Sequence, residues 1–313
     1  MSGLKIVFMG TPEFAVYSLE KLIKSNHTVV GIVTQPDKPR GRGKKLSPSP
    51  VKASAELHHI RVILHPDSLS DPAFLDTLKY LRADIFVVVA FRILPEVVFN
   101  MPPRGTINVH PSLLPKYRGA APINWTLIRG ESITGVTIMQ ISKGIDAGGI
   151  LLQQEVGIHP DETAGSLHNR LAEIGSDMLL EALQGIQDAT IQPISQDATQ
   201  ATPAPKIGKE DCHISFDQPA IQVKNWIHGL SPFPTAFAYL NGERINFYRA
   251  QLVSGDATAE PAGTIIKSSG SELQVACNPG LLEIIELQKQ GKKRLMSGDF
   301  LRGHPIIVGD KFN

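Results

Sequence analysis

Short β-branched runs alternate with helical stretches along the first 190 residues of this chain. The runs include KIVFMG, TVVGIVTQ, DIFVVVAF, TINVH and GVTIMQIS, and the helical stretches include residues 13–24, 72–82 and 163–187. This alternation predicts an α/β fold with a Rossmann-like, doubly wound and mostly parallel sheet. Ligands of such sheets bind at the carboxyl ends of the strands, so we expect chemistry at the end of TINVH.

A different pattern begins near residue 191. Residues 191–208 lose all periodicity and collect Pro, Ser, Thr and Gln, which is typical of an interdomain linker. Short strand-like runs at regular spacing then follow, and they predict a smaller OB-like β-barrel over residues 209–313. The chain of 313 residues is also long for a single core. We therefore expect an α/β domain over 1–190, a linker over 191–208 and a C-terminal domain over 209–313.

The composition excludes several classes of protein. Hydrophobic residues make up 42% of the chain and charged residues 19%, as in globular proteins that are neither disordered nor fibrous. The two cysteines, Cys212 and Cys277, have no histidine pair at metal-ligand spacing beside them, so neither a disulfide framework nor a zinc site is supported. No run reaches the ~18 apolar residues of a membrane span. We expect a cytoplasmic protein that binds no metal.

The turn after the first strand argues against a dinucleotide site. The segment GTPEFA has a single glycine, Gly10, where the dinucleotide fingerprint has three. We therefore interpret Gly10 as a tight strand-to-helix turn.

Three polar residues suggest catalysis at the end of TINVH. Asn108 and His110 are two apart on a strand, so their side chains point to the same face. Asp146 follows the next β-branched run, and the carboxyl ends of two adjacent strands would bring it to His110. Such a set suits attack of an amine on a carbonyl carbon, although an isolated histidine at this place is more often a satisfied core residue.

The sequence around these residues resembles a known family. NVHPSLLPKYRG, followed by IDAGGI, is similar to the folate-dependent formyltransferases, whose Asn, His and Asp triad and SLLP loop match Asn108, His110, Asp146 and residues 112–115. The resemblance covers the whole chain, including GTPEFA, the basic insertion QPDKPRGRGKKLSPSPVK and WIHGLSPFPTAFAYLNGERI. These segments look like those of the members that act on initiator methionyl-tRNA.

The resemblance implies an activity and a co-substrate. The formyl group of 10-formyltetrahydrofolate would pass to the free α-amino group of initiator methionyl-tRNA. Asn108 and protonated His110 would stabilise the oxyanion, and Asp146 would keep His110 charged or relay a proton through water. The family also implies residues for the folate site: Ser112, Leu113, Leu114, Pro115, Phe91 and Ile93. Relatives commonly show a Tyr-Gly pair with a longer turn where this chain has Phe91 and Arg92.

A basic insertion at residues 36–52 is the candidate tRNA contact. It holds six Lys or Arg residues and one Asp, and phosphates attract such clusters, although a charge run is often only a solvated face. The candidate contacts here and on the barrel are Lys38, Arg40, Arg42, Lys44, Lys45, Lys206 and Lys209. The barrel could instead be a stability or interaction module without RNA contact. We expect a monomer with no membrane partner.

Two other functions stay open at this point. The same three residues would serve a formyltransferase or formyl hydrolase that acts on a small amine, such as an amino sugar, or on water. A non-catalytic RNA-binding protein is the third possibility, in which Asn108, His110 and Asp146 are structural.

Overall fold

The computed structural model describes residues 3–40 and 45–313, which divide into two compact units. Unit 1 consists of Met1–Gly119, Thr134–Val156 and His168–Pro203, and unit 2 of Ala120–Ile133, Gly157–Leu167 and Ala204–Asn313. The division of the chain into domains at 190 and 209 stays a prediction. In the structure, residues 191–203 of the predicted linker belong to unit 1.

Unit 1 is built on a twisted sheet between helices. The strands in this part of the chain are β1 (Lys5–Gly10), β2 (Thr28–Val33), β3 (Lys38–Arg40), β4 (Lys45–Ser47), β5 (Ile63–Leu64), β6 (Ile85–Val89), β7 (Thr106–His110), β8 (Ile133–Gln140) and β9 (Ile150–Gly157). The helices in this part of the chain are α1 (Glu13–Ile23), α2 (Pro50–Leu57), α3 (Pro72–Tyr80), α4 (Glu96–Phe99), α5 (Pro122–Ile128) and α6 (Ala164–Gln187), and α5 belongs to unit 2. Seven strands form the sheet in the order β5-β2-β1-β6-β7-β8-β9, and the first five of that order run parallel. The predicted α/β class is confirmed.

Both faces of this sheet are covered, which explains its continuous apolar strands. Val88 and its neighbours on one face pack against Phe74 of α3 and Val98 of α4. On the other face, α6 comes so close that a Cβ added at Gly175 would lie 2.8 Å from Cγ1 of Val109. A strand that is buried on both sides reads as an unbroken hydrophobic run, as IFVVV of β6 does.

The direction of β8 corrects one expectation. β8 pairs with β7 in the antiparallel sense, with Ile107 opposite Gln140 and His110 opposite Thr137. The carboxyl end of β8 therefore lies beside the amino end of β7. The expectation that two carboxyl ends meet to join Asp146 and His110 is wrong, because the strand direction reverses at this pair. Residues 141–149 instead run back to bring Asp146 to the carboxyl end of β7.

The basic insertion leaves the sheet and returns to it at one point. β3 and β4 pair as an antiparallel hairpin, with Arg40 opposite Lys45. At the base of the insertion, the buried hydroxyl groups of Thr34 and Ser49 are 2.7 Å apart and hydrogen-bonded. Ser49 also caps α2 by accepting a hydrogen bond from the Lys52 amide. Thr34 follows β2, so the hairpin starts at the same sheet edge as the end of β7.

Unit 2 contains an antiparallel sheet and three helices. Its elements are α5, α7 (Ala220–Gly229), β10 (Ala236–Leu240), β11 (Glu243–Ser254), β12 (Ile265–Ser269), β13 (Glu272–Cys277), β14 (Gly280–Lys289), β15 (Leu295–Met296) and α8 (Ser297–Gly303). The strand order is β10-β11-β14-β13-β12, and β15 pairs with β14. α7 packs its apolar face, with Val223 and Ile227, into the core of the sheet.

The last residues close this sheet into the barrel that the sequence predicts. Asn313 exchanges two backbone hydrogen bonds of 2.9 Å with Tyr239 of β10. On the other side, the amide of Phe312 donates to the carbonyl of Gly263, and Lys311 bridges to Thr264 just before β12. The two edge strands therefore share a common partner, which leaves neither edge open.

Residues 191–203 are mostly exposed to solvent, but their backbone forms hydrogen bonds with the rest of unit 1. Ile194 and Ile150 of β9 donate to each other's carbonyl at 2.8 Å. Further along, the amide of Arg118 donates to the carbonyl of Thr202 at 2.9 Å. These bonds fix the segment to unit 1, on one side at the start of β9 and on the other at the turn that follows β7.

No helix within residues 3–40 or 45–313 combines the length and the apolar character that crossing a bilayer requires. Cys212 and Cys277 are both buried and carry free thiols.

Candidate active site

His110 ends β7, and its ring is held between two partners. The residue is only 4% exposed, and its Nε2 lies 3.0 Å from the carbonyl oxygen of Tyr117. Because a carbonyl can only accept, this contact places a proton on Nε2. Nδ1 then faces Oδ2 of Asp146 at 3.6 Å, a distance of ion pairing rather than of a direct hydrogen bond.

Asp146 lies on the segment 141–149 in an uncommon backbone conformation. Its φ is +48°, a left-handed value that Asp tolerates better than most residues. Its Oδ2 accepts a hydrogen bond of 2.8 Å from the amide of Gly119. Two residues later, Gly148 passes so close to Gln140 that an added Cβ would lie 1.7 Å from the Gln140 carbonyl oxygen. The position of Asp146 therefore depends on a glycine beside it.

One short turn holds both His110 and Asp146. The carbonyl of Tyr117 receives the His110 ring and the amide of Gly119 reaches the Asp146 carboxylate. These partners are backbone groups, which carry no residue-specific signal in the sequence. The turn connects the predicted folate loop, residues 112–115, to the histidine and the carboxylate.

Asn108 lies on the same face as His110, as the strand period requires. Its backbone is opposite Val88 of β6 and Met139 of β8, and its side chain is partly exposed. Among the described residues, none forms a hydrogen bond with the Asn108 side chain. Its amide donors are thus available at the carboxyl end of the central strands.

Gln196 is a site residue that sequence reasoning missed. Its amide nitrogen donates to the carbonyls of Asp146 at 2.9 Å and Gly148 at 2.7 Å. Its oxygen accepts from the guanidinium of Arg118, from Nε at 3.2 Å and from Nη2 at 2.6 Å. The residue lies within the predicted linker, where a lone glutamine has no distinguishing pattern.

The predicted folate loop is fixed by hydrogen bonds on its inner side. Ser112 and Leu114 are buried, whereas Leu113 and Pro115 are half-buried. The Thr137 hydroxyl donates to the Ser112 carbonyl at 2.6 Å and accepts from the Leu114 amide at 3.2 Å. Ser112 and Leu114 therefore shape the loop from inside.

The other two predicted folate residues follow β6. Phe91 is half-buried and packs on the core of unit 1, with the Arg92 guanidinium carbon 5.4 Å from its ring centre. Arg92 in turn donates to the carbonyls of Pro66 and Asp67. Ile93 is 80% exposed, on the loop that follows the carboxyl end of β6.

The predicted tRNA contacts are distributed over both units. In unit 1, Lys38 Nζ donates to Gln35 at 2.8 Å, and Arg40 and Lys45 are backbone partners in the hairpin. Arg42 and Lys44 lie outside the described residues. In unit 2, Lys206 and Lys209 are exposed.

The acidic residue of the insertion is paired at its base. Lys52 Nζ is 2.9 Å from Oδ2 and 3.0 Å from Oδ1 of Asp37. The hydrogen bond to Asp37 raises the pKa of Lys52 above its ordinary value. As for metals, residues 3–40 and 45–313 bring together no cluster of three or more His, Cys, Asp or Glu side chains.

Sequence models of one family match the chain in two places. The model described as formyl transferase matches residues 4–183, and the model described as formyl transferase, C-terminal domain, matches residues 206–305. The matched residues make up most of the chain.

The chain belongs to the formyl transferase family. Among curated relatives, the methionyl-tRNA formyltransferase of Syntrophus aciditrophicus (strain SB) is 44% identical over 310 residues, covering 99% of each chain. The methionyl-tRNA formyltransferase of Trichlorobacter lovleyi is 43% identical over 310 residues, covering 99% of this chain and 97% of that protein.

Two solved structures share the fold of this chain. The sugar 3N-formyl transferase WlaRD, solved with dTDP and 5-N-formyl-THF, is 20% identical, with a TM-score of 0.66 over 93% of this chain and 99% of that one. HypX from Aquifex aeolicus, in complex with tetrahydrofolic acid, is 18% identical with a TM-score of 0.67. All of this chain is covered there but only 51% of HypX, so the chain spans about half the length of HypX.

Proposed function

We propose that this protein transfers the formyl group of 10-formyltetrahydrofolate to the α-amino group of initiator methionyl-tRNA. The observation that carries the proposal is the meeting of His110, Asp146 and the unpartnered amide of Asn108 at the carboxyl end of β7. That arrangement occurs in a chain with 44% identity to a methionyl-tRNA formyltransferase over its whole length.

The three side chains divide the work of acyl transfer. When an amine attacks the formyl carbon, negative charge develops on the formyl oxygen, and a preorganised donor lowers the barrier. The amide of Asn108 is suited to this role because no other described residue uses its donors. Nε2 of His110 is already bound to the Tyr117 carbonyl, so Asn108 is our first choice for contact with that oxygen.

The other ring nitrogen of His110 is placed for proton transfer. The attacking amine must lose a proton as the new bond forms, and the departing nitrogen must gain one. Nδ1 of His110 and Oδ2 of Asp146, 3.6 Å apart, leave room for a proton carrier between them and the amine. We assign proton movement to this pair, with Asp146 also supporting positive charge on the imidazole.

The loops beside these residues fit a folate. The co-substrate supplies a formyl group on a nitrogen that leaves readily once it is protonated. An exposed apolar side chain, that of Ile93, and the half-buried Leu113 and Pro115 lie on loops that follow β6 and β7. Flat aromatic rings bind against apolar walls of this kind. We assign these loops to the folate, with Ser112 and Leu114 supporting them from inside.

The basic hairpin supports a polyanionic substrate rather than a small amine. It rises from the end of β2, three strands from β7 in the sheet order, which is about 14 Å at ~4.8 Å per strand. A nucleic acid that delivers its terminal amine to His110 has phosphates within reach of such a hairpin. We assign Lys38, Arg40, Arg42, Lys44 and Lys45 to this contact, with Lys206 and Lys209 of unit 2 as further candidates. The cytoplasmic location and the monomeric state stay predictions from the sequence.

The test measures formyl transfer from 10-formyltetrahydrofolate to charged initiator tRNA. Uncharged tRNA, an amino sugar nucleotide and buffer alone serve as alternative acceptors. Replacing any one of Asn108, His110 and Asp146 with alanine is expected to lower turnover by a factor on the order of 10² or more. Asn100→Ala and Asp76→Ala, two exposed positions of unit 1, are matched controls and should retain turnover.

The outcomes separate the competing functions. Transfer to the amino sugar, or hydrolysis in buffer, at a rate that exceeds transfer to charged tRNA would replace our assignment with a small-molecule enzyme. Binding of tRNA without any transfer would favour an RNA-binding protein. Full turnover in folded His110→Ala or Asp146→Ala, checked by circular dichroism, would remove the catalytic roles.

A further inference from the structure

The side chain of Gln196 connects two parts of the active site that are distant in sequence. Its NH2 group donates to the carbonyls of Asp146 and Gly148, at 2.9 and 2.7 Å. Its carbonyl oxygen accepts from Arg118 at 2.6 and 3.2 Å. A glutamine amide has two donors and one acceptor oxygen, so every polar group of this side chain is in use.

The segment that carries Asp146 has little other support. Residues 143–148 contain Gly144 and Gly148, and Asp146 itself has a positive φ. In the part of the chain that the structure describes, the backbone of 143–148 receives hydrogen bonds from one side chain outside the segment, that of Gln196. The carboxylate of Asp146 adds a single bond to the Gly119 amide. A segment with so few bonds depends strongly on each of them.

The residues around Gln196 are themselves fixed. Ile194 bonds to Ile150 of β9 in both directions. Thr202 accepts from the Arg118 amide through its carbonyl, and from the Tyr117 amide through its hydroxyl at 2.9 Å. Gln196 therefore extends from a backbone that is hydrogen-bonded on one side to β9 and on the other to the turn that holds His110.

We propose that Gln196 is a positioning residue that holds Asp146 against His110. It touches neither the His110 ring nor the Asp146 carboxylate, and acts through the backbone of residues 146 and 148. Its effect on turnover rests on the proposed function of Asp146. Its effect on the position of Asp146 does not, and can be measured separately.

Two substitutions distinguish the role of the NH2 donors of Gln196 from that of its carbonyl acceptor. Gln196→Glu keeps an acceptor for Arg118 but replaces both donors with an oxygen that repels the two carbonyls. Gln196→Ala removes all four contacts. Gln192→Ala is the matched control, because Gln192 lies in the same segment, is exposed and has no hydrogen-bonding partner among the described residues.

We expect both Gln196 variants to lower kcat by about tenfold to thirtyfold, the effect of two lost hydrogen bonds. KM for charged tRNA and for the folate should stay within about twofold of the wild type, because the polar groups of Gln196 are already bound to Arg118, Asp146 and Gly148. Gln192→Ala should leave both constants unchanged. A purely structural role predicts instead that Gln196→Glu, which retains the Arg118 pairing, stays close to the wild type while Gln196→Ala loses thermal stability and activity together.

Combination with Asp146→Ala tests whether the two residues act through the same step. If Gln196 works by holding Asp146, then adding Gln196→Ala to Asp146→Ala should lower kcat no further, within about twofold. Multiplication of the two single effects would overturn the proposal.

The Gly119 amide reports on the carboxylate without any turnover. This amide donates to Asp146 Oδ2 at 2.8 Å, so its hydrogen exchange accelerates when the carboxylate moves away. In protein labelled with 15N-glycine, we expect exchange at Gly119 to be at least about tenfold faster in both Gln196 variants and in Asp146→Ala, and unchanged in Gln192→Ala. Unchanged exchange at Gly119 in the Gln196 variants would overturn the proposal.

The two readouts keep the claims apart. If Asp146→Ala retains full turnover, the catalytic role of Asp146 is refuted. The rate of hydrogen exchange at the Gly119 amide still tests whether Gln196 holds Asp146 in position. If Asp146→Ala loses turnover while both Gln196 variants keep kcat within twofold, the role of Gln196 falls and the proposed function stands.

Discussion

Replacing Gly148 with alanine is expected to displace the segment that carries Asp146. An added Cβ would lie 1.7 Å from the carbonyl oxygen of Gln140 and 2.8 Å from its carbonyl carbon. Side-chain carbons keep at least 3.0 Å from other heavy atoms, so the two groups must separate by a minimum of 1.3 Å. Gln140 ends β8 and is paired with Ile107, so the segment rather than the strand is expected to move.

A shift of this size is large for a carboxylate with a proposed role in catalysis. Asp146 is two residues from the substituted position. Its contacts, with His110 at 3.6 Å and with the Gly119 amide at 2.8 Å, cannot accommodate a displacement of this size. Misplacement of a reacting group by about 1 Å costs on the order of 10²-fold in rate. We therefore expect kcat to fall by about 10² in Gly148→Ala, with KM for charged tRNA within about twofold.

Gly157→Ala is the matched control for this experiment. Gly157 ends β9, and a Cβ there would meet no heavy atom within 4 Å. Initial rates of formyl transfer to charged initiator tRNA are compared for the three proteins, with circular dichroism to confirm folding. If folded Gly148→Ala keeps kcat within about threefold of the wild type, or if Gly157→Ala loses as much, the link between this glycine and catalysis is refuted.

Two further predictions concern the insertion and the barrel. Neutralising the four cations from Arg40 to Lys45 should lower kcat/KM for charged tRNA and leave folate binding unchanged. The slope of log kcat/KM against log salt concentration should become less steep by roughly 0.7 to 0.9 per lost phosphate contact. Arg42→Ala should give part of this effect, and wild-type salt dependence in both variants would show that the insertion is only a solvated surface. Burial lowers the pKa of His228 from its ordinary 6.5 to about 4. Between these two pH values the unfolded chain binds a proton that the folded chain does not. The free energy of unfolding of unit 2 should therefore fall by about 3 kcal/mol as the pH is lowered through this window. Urea titrations followed by the fluorescence of Trp125 and Trp226, both in unit 2, should show that His228→Gln loses this part of the pH dependence; an unchanged dependence would contradict the assignment.

Local patterns in the sequence determined the elements and the first part of the site. The helical stretches 13–24 and 163–187 correspond to Glu13–Ile23 and Ala164–Gln187 in the structure. Helix and strand periods are set by neighbouring residues, so they can be read from the chain directly. For the same reason, the two-residue spacing of Asn108 and His110 was enough to place them on one face.

The direction of β8 and the place of Asp146 were decided only by the tertiary structure. A β-branched run has the same appearance whether its strand is parallel or antiparallel to its neighbour, and pairing sense depends on contacts between distant residues. The sequence therefore supplied Asp146 as a candidate but gave the wrong route by which it reaches His110.

The supports of the site were also invisible in the sequence. The Tyr117 carbonyl and the Gly119 amide are backbone groups, which carry no residue-specific signal, and Gln196 stands in a stretch whose composition indicates a linker. Only the folded chain brings that stretch beside residues 146 and 148, because its hydrogen bonds to Ile150 and Arg118 join positions more than 40 residues apart. Chemistry that depends on residue type could be predicted from the sequence, whereas positioning that depends on backbone atoms and long-range contacts required the structure.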